Sequence, residues 1–131
     1  MDAERLEQEL SLLRTAYPEL EHRVIDGAHW GRIPEYTVPE GWSARAVEIA
    51  FQIPAQAGQA PYAFFVRPHL QLANGNQPTN YTPTVATPWG SDFAQFSWSP
   101  ADQWMPKVDI RDGANMLNFA RSFADRLEDR Q

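Results

Sequence analysis

The sequence contains no cysteine, and this absence excludes two kinds of site at once. Without thiols there is no disulfide framework, and no zinc site with thiolate ligands can form. Basic residues are also few, since 11 Lys and Arg stand against 17 Asp and Glu, for a formal net charge of -6. Because nucleic-acid binding depends on clustered Lys and Arg, we expect no nucleic-acid partner.

Long apolar runs and metal-ligand spacings are missing as well. No apolar run approaches the roughly 18 residues that a membrane span needs, and the acidic N-terminus lacks the features of a signal peptide. We therefore expect a cytoplasmic protein with no membrane partner. The three histidines, His22, His29 and His69, are scattered, and there is no Gly-rich phosphate loop. The sequence accordingly predicts no bound metal and no cofactor.

Helical patterns are present near both ends of the chain. Apolar residues at helical spacing predict a first helix from about Ala3 to Tyr17, which Pro18 ends. Met116, Ala120, Phe123 and Leu127 share a helical face and predict a closing helix, with Asp112 as a candidate cap. With 131 residues and a hydrophobic fraction of 43%, we expect a single domain spanning residues 1–131.

Between these helices the pattern predicts strands and then a long loop. The predicted strands cover His22 to Asp26, Trp30 to Val38, Arg45 to Ile53, and Tyr62 to Val66. Short turn-rich links join them, which is typical of a four-stranded antiparallel meander. Pro34 favours a bulged or edge strand at its position.

The segment from Arg67 to Lys107 has no regular period. Its prolines, at positions 68, 78, 83, 88, 100 and 106, argue against long regular elements. Many aromatic residues in the same segment indicate that it packs on the sheet rather than remaining disordered. The sequence thus predicts an α+β fold in the order helix, meander, long irregular loop, helix.

Three motifs in the second half of the chain are similar to those of a known group. They are Pro68-His69-Leu70-Gln71-Leu72-Ala73-Asn74-Gly75, the pair Phe96-Ser97, and Trp104-Met105-Pro106. Together with the order of elements, they resemble E2 ubiquitin-conjugating (UBC) domains, and in particular the bacterial E2-like group called E2 family E. The resemblance implies an E2/UBC-like fold and a role in bacterial ubiquitin-like conjugation. It also implies three partners, namely a ubiquitin-like protein, an E1-like adenylating enzyme and a JAB-type peptidase, and a context of antiphage defence.

The resemblance further implies where a reaction would occur. In ordinary E2 enzymes the catalytic Cys lies about eight residues before a Trp-x-Pro element, and here Ser97 lies seven before Trp104. Ser97 would then accept the C-terminal acyl group of a ubiquitin-like protein as an oxyester and pass it to an amine. Ser91 and Ser99 are the other candidate acceptors.

A serine in this role needs help, because its hydroxyl is scarcely ionised at neutral pH. His69 and Asp102 are the nearest candidate bases, provided that the fold brings them close. Asn74 is a candidate for positioning the acceptor amine or the oxyanion. The sequence also departs from the family pattern, since Leu70 stands where ordinary E2 enzymes carry the Asn of His-Pro-Asn.

Simpler interpretations of the same residues remain open. Ser97 is also explained as a loop serine, His69 as a turn histidine donating to a carbonyl, and Asn74 with Gly75 as a turn pair. A Ser-His-Asp hydrolase built from Ser97, His69 and Asp102 has no nucleophile-elbow motif to support it.

Two hypotheses therefore remain, an oxyester-forming conjugating enzyme and a noncatalytic E2-like module that scaffolds an E1-like or ubiquitin-like partner. In either case the polar side of the first helix is a candidate docking surface for the E1-like enzyme, and it carries Glu4, Arg5, Gln8 and Arg14.

Overall fold

A computed structural model describes residues 1–56, 58–100 and 103–129. Helix α1 (Ala3–Ala16) opens the chain and helix α2 (Met116–Glu128) closes it. Between them lie β1 (Glu21–Ile25), β2 (Ala28–Thr37), β3 (Ala46–Ile53), β4 (Phe64–Arg67), β5 (Tyr81–Thr87) and β6 (Gly90–Phe96). All neighbouring strands pair antiparallel, in the order β1-β2-β3-β4-β6-β5. Neither described helix is long and apolar enough to cross a membrane.

The α+β arrangement with a helix near each end is confirmed, but the sheet has six strands rather than the predicted four. The prediction failed in the proline-rich segment, where β5 and β6 form a hairpin. Pro83 lies between Thr82 and Val85, where the pairing register shifts, and Pro88 lies in the turn between the strands. Since β5 is an edge strand with an interrupted ladder, a proline there breaks little regular pairing.

Two local predictions have different outcomes. The irregularity expected at Pro34 is confirmed, because the register of β2 against β3 shifts between Ile33 and Tyr36. The cap predicted at Asp112 is wrong, since α2 begins at Met116 and its N-cap is Asn115. The Asn115 side chain accepts a hydrogen bond from the Asn118 N–H at 2.9 Å.

The main core lies between one face of the sheet and α2. Alternate residues of β3 are buried, as its period of two predicts, so that every second side chain points at the helix. The Phe123 ring of α2 lies at the centre of an aromatic cluster, in which it contacts Tyr36, Phe51, Phe64 and Phe119. Burial of such large rings makes this contact the principal apolar junction of the fold.

Helix α1 holds the segment that leads into α2. The Glu9 side chain is only 2% exposed, and its carboxylate accepts the Met116 N–H at 2.9 Å. Burial raises the pKa of Glu9, while the bonds from Met116 and Arg5 partly oppose that rise. Arg5 also donates to the carbonyls of Lys107 and Ala114. Glu9 and Arg5 therefore fix the chain on both sides of the α2 start.

The opposite face of the sheet carries a network of ion pairs. The Glu48 carboxylate lies between the guanidinium groups of Arg32 and Arg67, and Arg67 also pairs with Asp92 at 2.9 Å. Hydrogen bonds from Arg67 and Arg32 lower the pKa of Glu48 below its usual value of 4.5, although partial burial opposes them. The network joins β2, β3, β4 and β6.

The lowered pKa of Glu48 predicts an acid-dependent loss of stability. Its contribution is complete above pH 4.5 and disappears as the pH falls through the lower folded-state pKa, because protonation removes the charge that both arginines bind. Glu48→Gln is expected to reduce the free energy of unfolding at pH 7, and its difference from the unmodified protein should shrink below about pH 4. Urea unfolding at several pH values measures this. Glu35→Gln removes an exposed carboxylate of β2 and is the control, and an unchanged difference for Glu48→Gln across the pH range would contradict the linkage.

Backbone strain in β5 supplies a second prediction. Thr84 is exposed and has φ 62°, a left-handed conformation that disfavours a β-branched residue. Thr84→Gly should raise the free energy of unfolding by about 0.5–1 kcal/mol, because relief of this strain exceeds the added chain entropy. Thr82→Gly in the same exposed strand lacks the left-handed conformation and should instead destabilise. Thermal unfolding distinguishes the two, and equal effects of both changes would disprove the strain argument.

Candidate functional site

Ser97 follows β6 directly and lies at one end of the sheet. Its backbone N–H donates to the Asn80 carbonyl at 2.8 Å, just before the start of β5. The carbonyl of the next residue, Trp98, accepts the Ala63 N–H at 2.6 Å, just before the start of β4. Ser97 is therefore flanked by the chain on both sides while its side chain stays partly exposed.

Ala63 and Asn80 are the residues that bond to the backbone of residues 97–98. Both have a left-handed backbone, with φ 68° at Ala63 and φ 52° at Asn80. This conformation costs a non-glycine residue about 1–2 kcal/mol, and such strain is concentrated at functional sites. Neither residue was a candidate from the sequence pattern. Asn80 offered a signal, because Asn adopts this conformation more readily than most residues, whereas Ala63 offered none.

Arg126 of α2 fixes the segment that leads to Asn80. Its side chain is buried and donates to the carbonyls of Thr79 at 2.8 Å and Asp129 at 2.7 Å. The guanidinium carbon lies 5.0 Å from the centroid of the Phe96 ring, within the range of a cation–π contact. Burial lowers the pKa of the Arg126 guanidinium, and the nearby Asp129 opposes this. Arg126 thus connects the closing helix to the segment before β5 and to Phe96, the last residue of β6.

Trp98 connects Ser97 to the same helix from the other side. Its indole N–H donates to Ser122 Oγ at 3.0 Å, and that hydroxyl donates to the Phe119 carbonyl at 2.6 Å. Between α2 and the described residues of the preceding segment, 98–100 and 103–104, there is a groove of about 470 Å³, here called the α2 groove. Its described lining residues are Trp98, Pro100, Gln103, Trp104, Ala114, Asn118, Phe119, Ser122 and Asp125.

The other two candidate serines lie in different places. Ser91 is exposed near the start of β6, at the opposite end of that strand from Ser97. Ser99 is exposed two residues after Ser97 and precedes Pro100. Asp102, one of the two candidate bases, lies outside the described residues.

His69 and Ser97 are at opposite ends of β4. The pairing of Phe64 with Phe96 places Ser97 next to the start of β4, whereas His69 follows its last residue, Arg67. Four strand residues at about 3.3 Å each place about 13 Å of β4 between the two positions. His69 is exposed, and within the described part of the chain its ring makes no hydrogen bond to a carbonyl, so the turn-histidine interpretation stays a prediction.

Asn74 and Gly75 form the turn that the sequence predicted. The Asn74 side-chain oxygen accepts the Asn76 N–H at 2.9 Å, and Gly75 has φ 86°. The turn lies against the link between β2 and β3, where the Ala73 N–H donates to the Gly41 carbonyl at 2.8 Å. Asn74 lies in the segment after β4, as His69 does. Its side-chain oxygen stabilises the turn by accepting the Asn76 N–H.

The surroundings of Ser97 can position its backbone but do not activate its hydroxyl. In residues 1–56, 58–100 and 103–129, no side chain forms a hydrogen bond with Ser97 Oγ. Neither His69 nor Asn74 forms a hydrogen bond with it. An acyl transfer through Ser97 would therefore depend on a base from Asp102 or from a bound partner.

Three of the four residues of the candidate docking surface on α1, Glu4, Gln8 and Arg14, are exposed. Arg5 is partly buried and is bonded to Glu9 and to the carbonyls of Lys107 and Ala114, so its side chain has a structural use. The exposed face of α1 forms a groove of about 460 Å³ with the 110–111 segment, here called the α1 groove. Its lining residues are Glu4, Glu7, Gln8, Ser11, Leu12, Thr15, Ile110 and Arg111.

The role assigned to Arg126 can be tested by substitution. Arg126→Met should destabilise the protein by about 1–3 kcal/mol, because it removes two part-buried hydrogen bonds that the Arg126 guanidinium donates to the Thr79 and Asp129 carbonyls. It should also shift the Ser97 backbone amide signal in an ¹H–¹⁵N NMR spectrum. Arg121→Met removes an exposed arginine from the same helix and should do neither. If the Ser97 amide signal did not move in Arg126→Met, the link from α2 to this residue would be refuted.

Comparison with known proteins gave one match. A family model described as Prokaryotic E2 family E matches residues 6–118, which extend from α1 into the first turn of α2. No curated protein and no solved structure matches the chain. The matched range includes β1 to β6, Ser97, and both segments that pack against it.

Proposed function

The chain belongs to the prokaryotic E2 family E, and we propose that it is a noncatalytic E2-like module of a bacterial ubiquitin-like conjugation pathway. In this role it binds an E1-like adenylating enzyme or a ubiquitin-like protein without forming a covalent bond to either. A JAB-type peptidase in the same pathway, and a use in antiphage defence, belong to this proposal and rest on the family resemblance.

The environment of Ser97 is the observation that carries this proposal. The sequence has no cysteine, so a thioester on this chain is impossible. Among the described residues Ser97 Oγ has no hydrogen-bonding partner, and the candidate base His69 lies beyond the far end of β4. Because a serine nucleophile needs a positioned base, this arrangement favours binding over catalysis.

The α1 groove supports a docking role. Glu4, Glu7 and Gln8 are exposed there, while the other side of α1 is fixed to the core through Leu10 and Leu13. A partner can therefore contact this surface without disturbing the fold. Its lining carries Glu4 and Glu7 against Arg111, so negative charge is in excess, and we propose that the E1-like partner presents basic residues to it.

A second candidate function is the oxyester-forming enzyme with Ser97 as acceptor. The partial exposure of Ser97 and the two strained residues beside it favour this alternative. In that reaction Ser97 Oγ bonds to the activated C-terminal carbonyl carbon of the ubiquitin-like protein. Its proton passes to a base, and AMP or the thiolate of the E1-like enzyme leaves. A target amine then displaces Ser97 and forms an amide bond.

Reconstitution separates the two functions. The protein is incubated with an E1-like enzyme and a ubiquitin-like protein from the same genome, with ATP and Mg²⁺, and is analysed by intact mass and size-exclusion chromatography. We expect co-elution with a partner and no covalent adduct. Glu7→Lys should weaken co-elution with the E1-like enzyme, whereas Glu19→Lys, an exposed charge outside the α1 groove, should not.

The contrary outcomes are distinct. An adduct that hydroxylamine removes, and that disappears in Ser97→Ala but persists in Ser99→Ala, would replace the module by the oxyester-forming enzyme. An adduct lost only in Ser91→Ala or Ser99→Ala would assign the acceptor to that serine. If the experiment gave no adduct and no co-elution, both functions would be disproved.

A further inference from the structure

One face of α2 presents polar groups to the α2 groove. Asn118, Ser122 and Asp125 are spaced by four and then three residues, which places their side chains in a row on the helix surface. Ser122 is already bonded to the Trp98 indole and to the Phe119 carbonyl. Asn118 and Asp125 are exposed and lie on either side of it along the row.

Aromatic side chains form much of the remaining wall. Trp98, Trp104 and Phe119 all line the α2 groove, and Trp98 is held in place by its bond to Ser122. Trp98 and Trp104 are partly buried and pack against the main core, so the wall is part of the folded domain. Aromatic faces carry negative electrostatic potential and therefore attract cations, with Trp the strongest of them.

The described lining residues of the α2 groove include one formal charge. Asp125 is the only formally charged residue among the described lining residues, and no basic residue is present to neutralise it there. A groove with two indoles, a phenyl ring and one carboxylate is complementary to a side chain with an apolar stem and a positive end. Lysine and arginine both have this composition, because their stems bury on apolar surface while the charge stays at the tip.

We propose that the α2 groove binds a basic side chain, lysine or arginine, of a partner protein. The stem lies against the indoles and the charged end meets Asp125. A volume of about 470 Å³ accommodates one such side chain together with part of the backbone that carries it. This inference does not depend on whether Ser97 forms an ester, since it concerns noncovalent binding by other residues.

Titration with small amides tests the proposal directly. The ligands are the N-acetyl, N-methylamide derivatives of lysine, arginine and norleucine, and the readout is the indole N–H signal of Trp98 in ¹H–¹⁵N NMR spectra. The norleucine derivative has an apolar stem without the positive charge. We expect the lysine or arginine derivative to shift this signal saturably and to bind at least about threefold more tightly than norleucine.

Variants locate the charge that is responsible. Asp125→Asn should weaken binding of the basic ligands by at least about threefold and leave norleucine unaffected. Asp129→Asn removes a charge near the end of the same helix, outside the α2 groove, and should change neither. A stronger response to lysine than to arginine, or the reverse, would identify the side chain.

Equal binding of norleucine, or an unchanged affinity in Asp125→Asn, would overturn the proposal, as would the absence of any saturable shift. These outcomes are independent of the reconstitution, in which a partner can still bind through the α1 groove alone.

Discussion

The fold depends on the contact of Phe123 with the sheet. Its ring lies 4.4 Å from that of Phe64 and 4.9 Å from that of Phe119, measured between centroids. Two side chains from outside α2 then bond to carbonyls of the helix, Tyr36 to Ala120 and Trp42 to Leu127. Apolar burial therefore holds α2 against the sheet. The two hydrogen bonds fix the rotation of the helix and its position along the sheet.

The position of α2 determines the geometry around Ser97. Trp98 and the Thr79 carbonyl both bond to side chains of this helix, and they belong to the two segments that meet at Ser97. The α2 groove exists for the same reason, because one of its walls is α2 and the other is the segment bonded to it through Trp98. A change in how Phe123 packs on the sheet would thus alter both the surroundings of Ser97 and the α2 groove.

The sequence predicted those features that local pattern determines. The alternation in β3 and the helical spacing near both ends were sufficient, because each depends on neighbours within a few residues. The sequence did not predict the β5–β6 hairpin, because Pro83 argues against a regular strand. The register shifts that accommodate Pro83 leave no signature in the sequence.

The candidate site was harder to predict than the fold, because it is assembled over long distances in the chain. Ser97 and His69 are 28 residues apart, and nothing in that spacing indicates that β4 separates them. Ala63 has a left-handed conformation where its N–H bonds to the Trp98 carbonyl after β6, and alanine itself gives no sign of that conformation.

Family membership and chemistry therefore make separate demands on this chain. The E2-like fold needs α2 packed on the sheet, and this packing is supported by buried residues at many positions in the sequence. Acyl transfer needs one nucleophile and one base within hydrogen-bonding distance, which is a requirement on two atoms. The described structure meets the requirement of the fold through Phe123, Tyr36 and Trp42. At Ser97 it positions the backbone, but no described side chain is bonded to the hydroxyl to activate it. Binding requires only a suitable surface. A chain that keeps the fold therefore keeps what the proposed noncatalytic module needs.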